Sequence, residues 1–257
     1  MGDVAQGAPV RLARDLAVAD LWAALAAGWR DFRAAPRFGL FFAGVYVAAG
    51  WFLWFELVRR GHVAWLVPAA GGFPLVAPFV AVGLYEVSRR REAGLPVGWR
   101  DVLGAVRGRG DDQVLMLGGF LFVGVTFWII LAHGIFAVFL AQSGIGTESL
   151  ALFATPSGLA MLVVGGAVGA GMALAFYAVS VISLPLLIDR EVDFLTAMIA
   201  SMATVRDNRC VMLVWAALLG AGLTLAMVPA FLGLLVALPV FAHATWHLYR
   251  RVVGEEG

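Results

Sequence analysis

Six stretches of this chain are long and apolar enough to cross a bilayer, and they constrain its fold more than any other feature. A helix needs about 20 mainly apolar residues to span the hydrocarbon core. The six stretches are residues 38–58, 63–85, 114–141, 157–188, 210–228 and 230–249. The chain is 62% hydrophobic and 14% charged, whereas soluble domains are about half apolar and a quarter charged. The sequence therefore predicts an all-α integral membrane protein with six transmembrane helices.

The arginines are distributed unevenly among the segments that join these spans, and this predicts the orientation of the chain. All 18 basic residues are Arg, and 16 of them lie in the N-terminal segment, the connections 86–113 and 189–209, and the C-terminal segment. The other two, Arg59 and Arg60, lie on the opposite side of an even-numbered topology. Because basic residues are retained on the cytoplasmic side, we expect both termini in the cytoplasm.

A shorter segment before each pair of spans has apolar residues three and four apart, the spacing of an amphipathic helix. In residues 15–33 the apolar face comprises Val18, Leu21, Trp22, Leu25, Trp29 and Phe32, with Asp20, Arg30, Asp31 and Arg33 off that face. In residues 97–109 it comprises Trp99, Val102, Leu103 and Val106. In residues 192–206 it comprises Leu195, Met198, Ile199, Met202 and Val205, with Asp193, Thr196, Ser201 and Thr204 opposite. We expect each segment to lie in the cytoplasmic interface.

The chain is thus predicted to contain three copies of one module, an amphipathic interfacial helix followed by a hairpin of two spans. After a flexible N-terminus at 1–14, repeat 1 covers 15–92, repeat 2 covers 93–188 and repeat 3 covers 189–250, within a single membrane domain. Repeats of equal orientation are related by an axis along the membrane normal. A pseudo-threefold bundle is therefore our hypothesis.

Three motifs in the sequence resemble those of a known family. They read LWAALAAGWRDF, SLPLLIDREVDFLTAMIASMATVRDN and GLLVALPVFAHATWHLYRRV, and they begin at residues 21, 183 and 233. In these motifs the chain resembles the domain-of-unknown-function 2189 family of six-span bacterial inner-membrane proteins, from about residue 15 onward. The resemblance implies this fold and the bacterial inner membrane as the location. The family carries no established activity, so the resemblance implies no functional residues.

Two histidines near the end of the last span are candidate metal ligands. His243 and His247 are four residues apart and so share one helix face, and two imidazoles in this arrangement can contribute to a metal site. A third ligand would have to come from Glu86, Asp189 or a partner protein. The alternative is a polar girdle of the kind found at helix ends in the interface. No cofactor is predicted.

Three further ionisable residues are candidates for a ligand site or a proton path. His133 lies near the middle of the third span, where ionisable groups are costly and are either functional or internally paired. Glu86 and Asp189 each end a returning span, with arginines close by in the sequence. They face either those arginines or a cytoplasmic vestibule, and both interpretations stay open.

Small residues recur four apart in the fourth span. Gly165 and Gly169 form one pair, and Gly166 and Ala170 form the other. Pairs of this kind let two helices approach closely. They indicate either packing inside the bundle or a homodimer face.

Aromatic and basic residues at the cytoplasmic ends predict contacts with lipid. We expect anionic lipid head groups, rather than nucleic acid, to contact this surface. The residues concerned are Trp22, Trp29, Trp99, Arg250 and Arg251.

The sequence leaves three classes of function open and contains no recognisable catalytic motif. We favour a non-catalytic accessory, scaffold or assembly component of a membrane complex, because the connections are short and small-residue faces are abundant. A transporter or channel for ions or small solutes, built from three repeats, is the first alternative. A lipid-handling protein or membrane enzyme is the second, so enzymatic activity is the less favoured outcome. The expected partners are the bilayer and either another membrane protein or a second copy of this chain.

Overall fold

The protein is a bundle of α-helices, seen in a computed structural model that describes residues 12–66, 69, 77–105, 112–143 and 150–254. All regular structure in these residues is helical, so the all-α prediction is confirmed. The α-helices are α1 Val18–Ala34, α2 Pro36–Arg59, α3 Ala77–Glu92, α4 Trp99–Gly104, α5 Gln113–Ser143, α6 Pro156–Ser180, α7 Ser183–Asp189, α8 Phe194–Asp207, α9 Arg209–Met227 and α10 Leu234–Val253. Short 3-10 helices lie at Val63–Trp65 and Leu150–Ala154.

Four helical stretches among the described residues are long and apolar enough to cross a membrane. They are Pro36–Arg59, Gln113–Phe139, Pro156–Asp189 and Arg209–Met227. They correspond to the first, third, fourth and fifth predicted spans. The predicted second span, 63–85, lies partly outside the described residues. The sixth predicted span contains most of α10, which carries two His and two Arg and is less apolar than the four stretches named above.

Local sequence signals explain where several helices begin. Thr155 caps α6, since its hydroxyl accepts a hydrogen bond from the Gly158 N–H at 3.0 Å. Asp193 caps α8 in the same way, accepting from the Thr196 N–H at 2.8 Å. Pro36 is the first residue of α2 and disfavours helical geometry in the residue before it, so α1 and α2 are separate helices.

Helix α10 lies at the centre of the bundle. Its residues are buried along most of its length, and helices α1, α2, α3 and α9 pack around it. The approach of α1 is especially close: a Cβ on Gly28 would lie 2.5 Å from the Ala244 nitrogen and 2.6 Å from the Val240 carbonyl oxygen. The missing side chain at Gly28 therefore lets the two helix backbones come into contact.

Helix α1 buries a different face from the one predicted. Leu21, Gly28 and Asp31 are buried in the bundle, whereas Trp22 and Trp29 are 59% and 44% exposed. The prediction that Asp31 lies off the buried face is wrong. Periodicity shows where apolar residues recur, but lipid accepts them as readily as the bundle interior does.

The other two predicted interfacial helices also differ from the prediction or are only partly described. Within the predicted helix 97–109 the structure contains α4, whereas residues 106–109 lie outside the described residues. Residues 1–11 of the predicted flexible N-terminus lie outside them as well. In α8, Ser201 and Thr204 are fully buried, so their prediction as the polar face opposite the buried one is wrong. Their hydroxyls bond to backbone groups inside the bundle.

The predicted fourth span, 157–188, is two helices rather than one. Helix α6 ends at Ser180 and α7 begins at Ser183. Pro185 lies two residues into α7, where it has no N–H to donate and its ring clashes with the carbonyl four residues earlier. The proline therefore accounts for the break.

The hydroxyl of Ser201 in α8 fills the gap that this break leaves, an arrangement termed the Ser201 bridge. In a continuous helix the Ile182 N–H would bond directly to the Ala178 carbonyl. Instead, Ser201 Oγ accepts from the Ile182 N–H at 3.1 Å and donates to the Ala178 oxygen at 2.7 Å. Both backbone groups are thus satisfied in the interior.

Candidate functional site: a buried polar network and a lateral cleft

Polar side chains from α1, α3 and α10 form a continuous set of hydrogen bonds, termed the Asp31 network. Ser88 Oγ donates to Asp31 Oδ2 at 2.7 Å and lies 2.7 Å from His243 Nδ1. His247 Nε2 lies 2.8 Å from the same carboxylate oxygen of Asp31. Arg91 Nε donates to the other oxygen, Asp31 Oδ1, at 2.9 Å. The network links three helices that are distant in sequence.

Asp31 is ionised although it is buried. Burial alone would raise the pKa of this carboxyl, but hydrogen bonds from His247, Ser88 and Arg91 outweigh burial and hold the pKa of Asp31 well below its usual range. Ser88 and His243 are fully buried, and the His247 side chain is 23% exposed. The Asp31 carboxylate is therefore a fixed negative charge enclosed by its hydrogen-bond partners.

The structure brings His243 and His247 into this network, but each bonds to a different group. His243 pairs with Ser88 and His247 with Asp31. Among the residues that the structure describes, no three His, Cys, Asp or Glu side chains converge as a metal site requires. The described geometry therefore assigns these imidazoles to hydrogen bonds between helices.

Glu86 and Asp189, the acids predicted to face either arginines or a vestibule, are held in ion pairs. Arg89 binds Glu86 through two hydrogen bonds of 2.7 Å. Asp189 accepts from the Tyr249 hydroxyl at 2.6 Å and from Arg250 Nη1 at 3.2 Å. These contacts lie at the same end of the bundle as the Asp31 network, and those of Asp189 strengthen the attachment of α10 to α7.

The predicted lipid-interface residues fall into two groups. Arg250 and Arg251 pair with acids of the protein, Glu92 at 3.2 Å and Asp20 at 3.3 Å respectively. The three tryptophans are exposed at the surface. They are Trp22, Trp29 and Trp99. Arg251 is 41% exposed even though it is paired, so the three tryptophans and Arg251 all reach the surface.

His133 faces outward from α5, away from the Asp31 network. Its Nδ1 donates to the Ile129 carbonyl of its own helix at 2.9 Å. Its ring packs on Trp65 with centroids 4.2 Å apart, and its side chain is exposed. The structure thus gives this histidine a local hydrogen bond, and it does not bring His133 together with the other candidates.

The small residues of the fourth span lie on two faces of α6. Gly165 and Gly169 face α5, and a Cβ on Gly169 would lie 2.9 Å from the Trp128 ring. Gly166 is open, with nothing within 4 Å of an added Cβ. Ala170 lines a cleft. The first pair therefore serves close packing, Gly166 is open, and Ala170 faces a space.

That space, termed the lateral cleft, has a volume of about 470 Å³ and lies between α6 and α9, with α3 and α10 behind it. Small residues form both walls: Ala170 and Ala173 on α6, and Ala216 and Gly220 on α9. Tyr85 of α3 lies at its back. No sequence signal identified the cleft, because alanine and glycine are ordinary residues in a membrane span.

Three members of the Asp31 network were not sequence candidates: Asp31, Ser88 and Arg91. A single acid in an amphipathic helix and a serine before three arginines are common patterns, and neither indicates its partner. The pair His243 and His247 was the one signal that pointed to this region. It identified the helix face correctly but gave no information on what that face contacts.

Comparison with known proteins finds a match for part of the chain. Residues 66–189 match the model of the family DUF2189, described as a predicted integral membrane protein. The resemblance inferred from the motifs is thereby confirmed over this segment, which runs from α3 to α7. No curated protein and no solved structure matches the chain. Asp31 and both histidines of the network lie outside the matched segment, whereas Ser88 and Arg91 lie within it.

Proposed function

We propose that this chain, whose residues 66–189 match the DUF2189 model of predicted integral membrane proteins, is a non-catalytic accessory, scaffold or assembly component of a membrane complex. The observation that supports the proposal is the pairing of the carboxylates Asp31, Glu86 and Asp189 with groups on their own and neighbouring helices. General acid or base catalysis needs a group within reach of a substrate proton. Asp31 and Asp189 instead fasten helices to each other, and Glu86 is held by Arg89 of its own helix.

The proposal includes six crossings of a bacterial inner membrane, with both termini in the cytoplasm and three repeats at 15–92, 93–188 and 189–250. Helix α10 has 20 residues, about 30 Å of helix, which is enough for one crossing. Trp51 Nε1 also donates to the Ala230 carbonyl at 2.7 Å. This bond joins the second half of α2 to the turn between α9 and α10, as expected if both lie toward the outer side.

A transporter or channel is the weaker candidate. Transport of a polar solute calls for a binding site near the bilayer midplane with polar groups around it. Among the described residues, the lateral cleft is mainly apolar and opens to the side. A polar cleft of about 280 Å³ lies at the cytoplasmic end, between Glu86, Arg89 and Arg100. Lipid binding is favoured by one specific observation, the lateral cleft, and it is compatible with an accessory role.

Purification from the native membrane tests the accessory role. The tagged full chain is extracted in a mild detergent, and the proteins that travel with it are identified and quantified by mass spectrometry. We expect a stoichiometric membrane-protein partner, or a homo-oligomer if the partner is a second copy. An equally tagged, unrelated membrane protein gives the background. A single monodisperse chain without a partner would contradict the proposal.

A further inference from the structure

The lateral cleft has the size of a site for a small ligand. Its volume of about 470 Å³ lies within the range of ~300–1,000 Å³ typical of ligand pockets. Its wall on α9 extends from Ala216 to Leu223, which is about 10 Å along the helix axis. The cleft is therefore short and has the volume of a site for a narrow apolar ligand.

The lining of the lateral cleft is apolar except for a few hydroxyl groups, and one of these has no hydrogen-bond partner among the described residues. Tyr85 is 5% exposed and lines the cleft. Its hydroxyl makes no hydrogen bond with the part of the chain that the structure describes. The hydroxyls of Tyr177 and Thr245, by contrast, donate to the backbone carbonyls of Met212 and Phe241. A buried tyrosine hydroxyl usually finds a partner, so Tyr85 is available to a ligand with an acceptor oxygen.

The position of the cleft connects it to the bilayer. Rim residues such as Ala173, Ala217 and Gly220 are exposed, so the cleft opens sideways between α6 and α9. Arg209 begins α9, seven residues before Ala216. It therefore lies about 10 Å nearer the cytoplasm on the same helix face. Arg209 forms no ion pair with another described residue, so its charge is available to an anion at the mouth of the cleft.

From these observations we infer that the lateral cleft binds one acyl chain of a membrane phospholipid. The apolar walls enclose the chain, the Tyr85 hydroxyl donates to an ester carbonyl, and the phosphate lies on the Arg209 side. A phospholipid is the occupant that combines a narrow apolar part, an acceptor oxygen and an anionic group, and the bilayer supplies it. The inference goes beyond the accessory role and does not depend on it.

Photolabelling of the full chain tests the inference. The protein is reconstituted into vesicles of phosphatidylethanolamine and phosphatidylglycerol that contain a trace of phosphatidylethanolamine with a diazirine on one acyl chain. After illumination, the labelled peptides are mapped by mass spectrometry. We expect the label to concentrate on residues 170–177 and 216–223. Label spread evenly over the exposed helix faces would overturn the inference.

Two glycines provide a matched pair of variants. An added Cβ would meet nothing within 4 Å at Gly220 or at Gly171, so both variants are expected to fold. Only Gly220 is among the residues that line the cleft. Gly220→Leu should therefore reduce labelling of the cleft peptides severalfold, and Gly171→Leu should leave it unchanged. Equal labelling in the two variants would overturn the assignment of the site.

Tyr85→Phe tests the hydrogen bond separately, because it removes only the hydroxyl. After extensive detergent washing, we expect the variant to retain severalfold less phospholipid per chain than the wild type, measured by lipid mass spectrometry. Unchanged retention would overturn the role of Tyr85, and recovery of free fatty acid in place of phospholipid would overturn the choice of ligand. None of these results bears on the accessory role, which co-purification tests.

Discussion

The Ser201 hydroxyl holds the two halves of a broken helix together through a pair of buried hydrogen bonds. Ser201→Ala would leave the Ile182 N–H and the Ala178 carbonyl without partners, and an unsatisfied buried group costs ~1–3 kcal/mol. We therefore expect a clearly lower melting temperature for this variant in detergent. Thermal unfolding followed by circular dichroism measures it.

Ser180→Ala is the matched control for that variant. The Ser180 hydroxyl donates to the Phe176 carbonyl of its own helix at 2.7 Å, where the regular backbone bond remains after substitution. Its removal should cost less than removal of the Ser201 hydroxyl. Equal losses in the two variants would contradict the role of the Ser201 bridge.

Asp31 makes part of the stability depend on pH. Its folded-state pKa lies below the value of ~3.9 for an exposed aspartate, because His247, Ser88 and Arg91 bond to its ionised form. The stabilisation is therefore fully present above the unfolded-state pKa and is lost as the pH falls toward the folded-state pKa. Below about pH 4, we expect the melting temperature of the wild type to fall more steeply than that of Asp31→Asn. Parallel pH curves for the two proteins would refute this expectation.

The sequence did not predict which single polar residues pair with each other. The four-residue spacing of His243 and His247 predicted a shared helix face, which is a local property. Asp31 and Ser88 are 57 residues apart, and nothing local to either indicates that a third helix brings them together. Pairings of this kind depend on the tertiary arrangement and were therefore not predictable.

At the level of helices, the contact between α1 and α10 depends on the absence of a side chain at Gly28. Gly28→Ala would place a methyl group within 2.6 Å of backbone atoms of α10, and overpacking of this kind costs ~1–3 kcal/mol. We expect the variant to melt at a lower temperature, although alanine favours a helix by about 1 kcal/mol. Gly44→Ala is the control, because nothing lies within 4 Å of a Cβ there. It should melt at the wild-type temperature or above.

The helices themselves were largely predictable from the sequence, whereas their faces were not. Apolar runs identified α2, α5, α6 and α9, since length and hydropathy are properties of the segment alone. Hydrophobic periodicity did not separate buried from lipid-exposed residues, because both environments are apolar. Trp22 and Leu21 illustrate this: they belong to the same predicted face, yet one is exposed and the other is buried.

For the whole molecule, the number of crossings is the property that most needs a measurement. The chain has one cysteine, so a Cys210→Ser background allows single cysteines to be labelled with a membrane-impermeant maleimide. If α10 and the segment before α3 both cross, Asp15→Cys and Ala93→Cys lie in the cytoplasm and His62→Cys lies outside. We expect only His62→Cys to react in intact cells, and all three to react after permeabilisation.

The position of Ala93 makes this experiment decisive. If only the four stretches long and apolar enough to span were to cross, Asp15 and Ala93 would lie on opposite sides of the membrane. Labelling of exactly one of these two positions in intact cells would then contradict six crossings. The boundaries of the three repeats, which assume six crossings, would then be wrong as well.

Helix α10 comes after α1, α2 and α3 in the chain, although it is the helix on which they pack. While the chain is being synthesised, the earlier helices form before this partner exists, and Asp31 meets His247 only 216 residues later. A ribosome that stops early leaves Asp31 and the Gly28 face without their partners. Such a truncated copy therefore exposes a carboxylate and a helix face that the finished chain encloses.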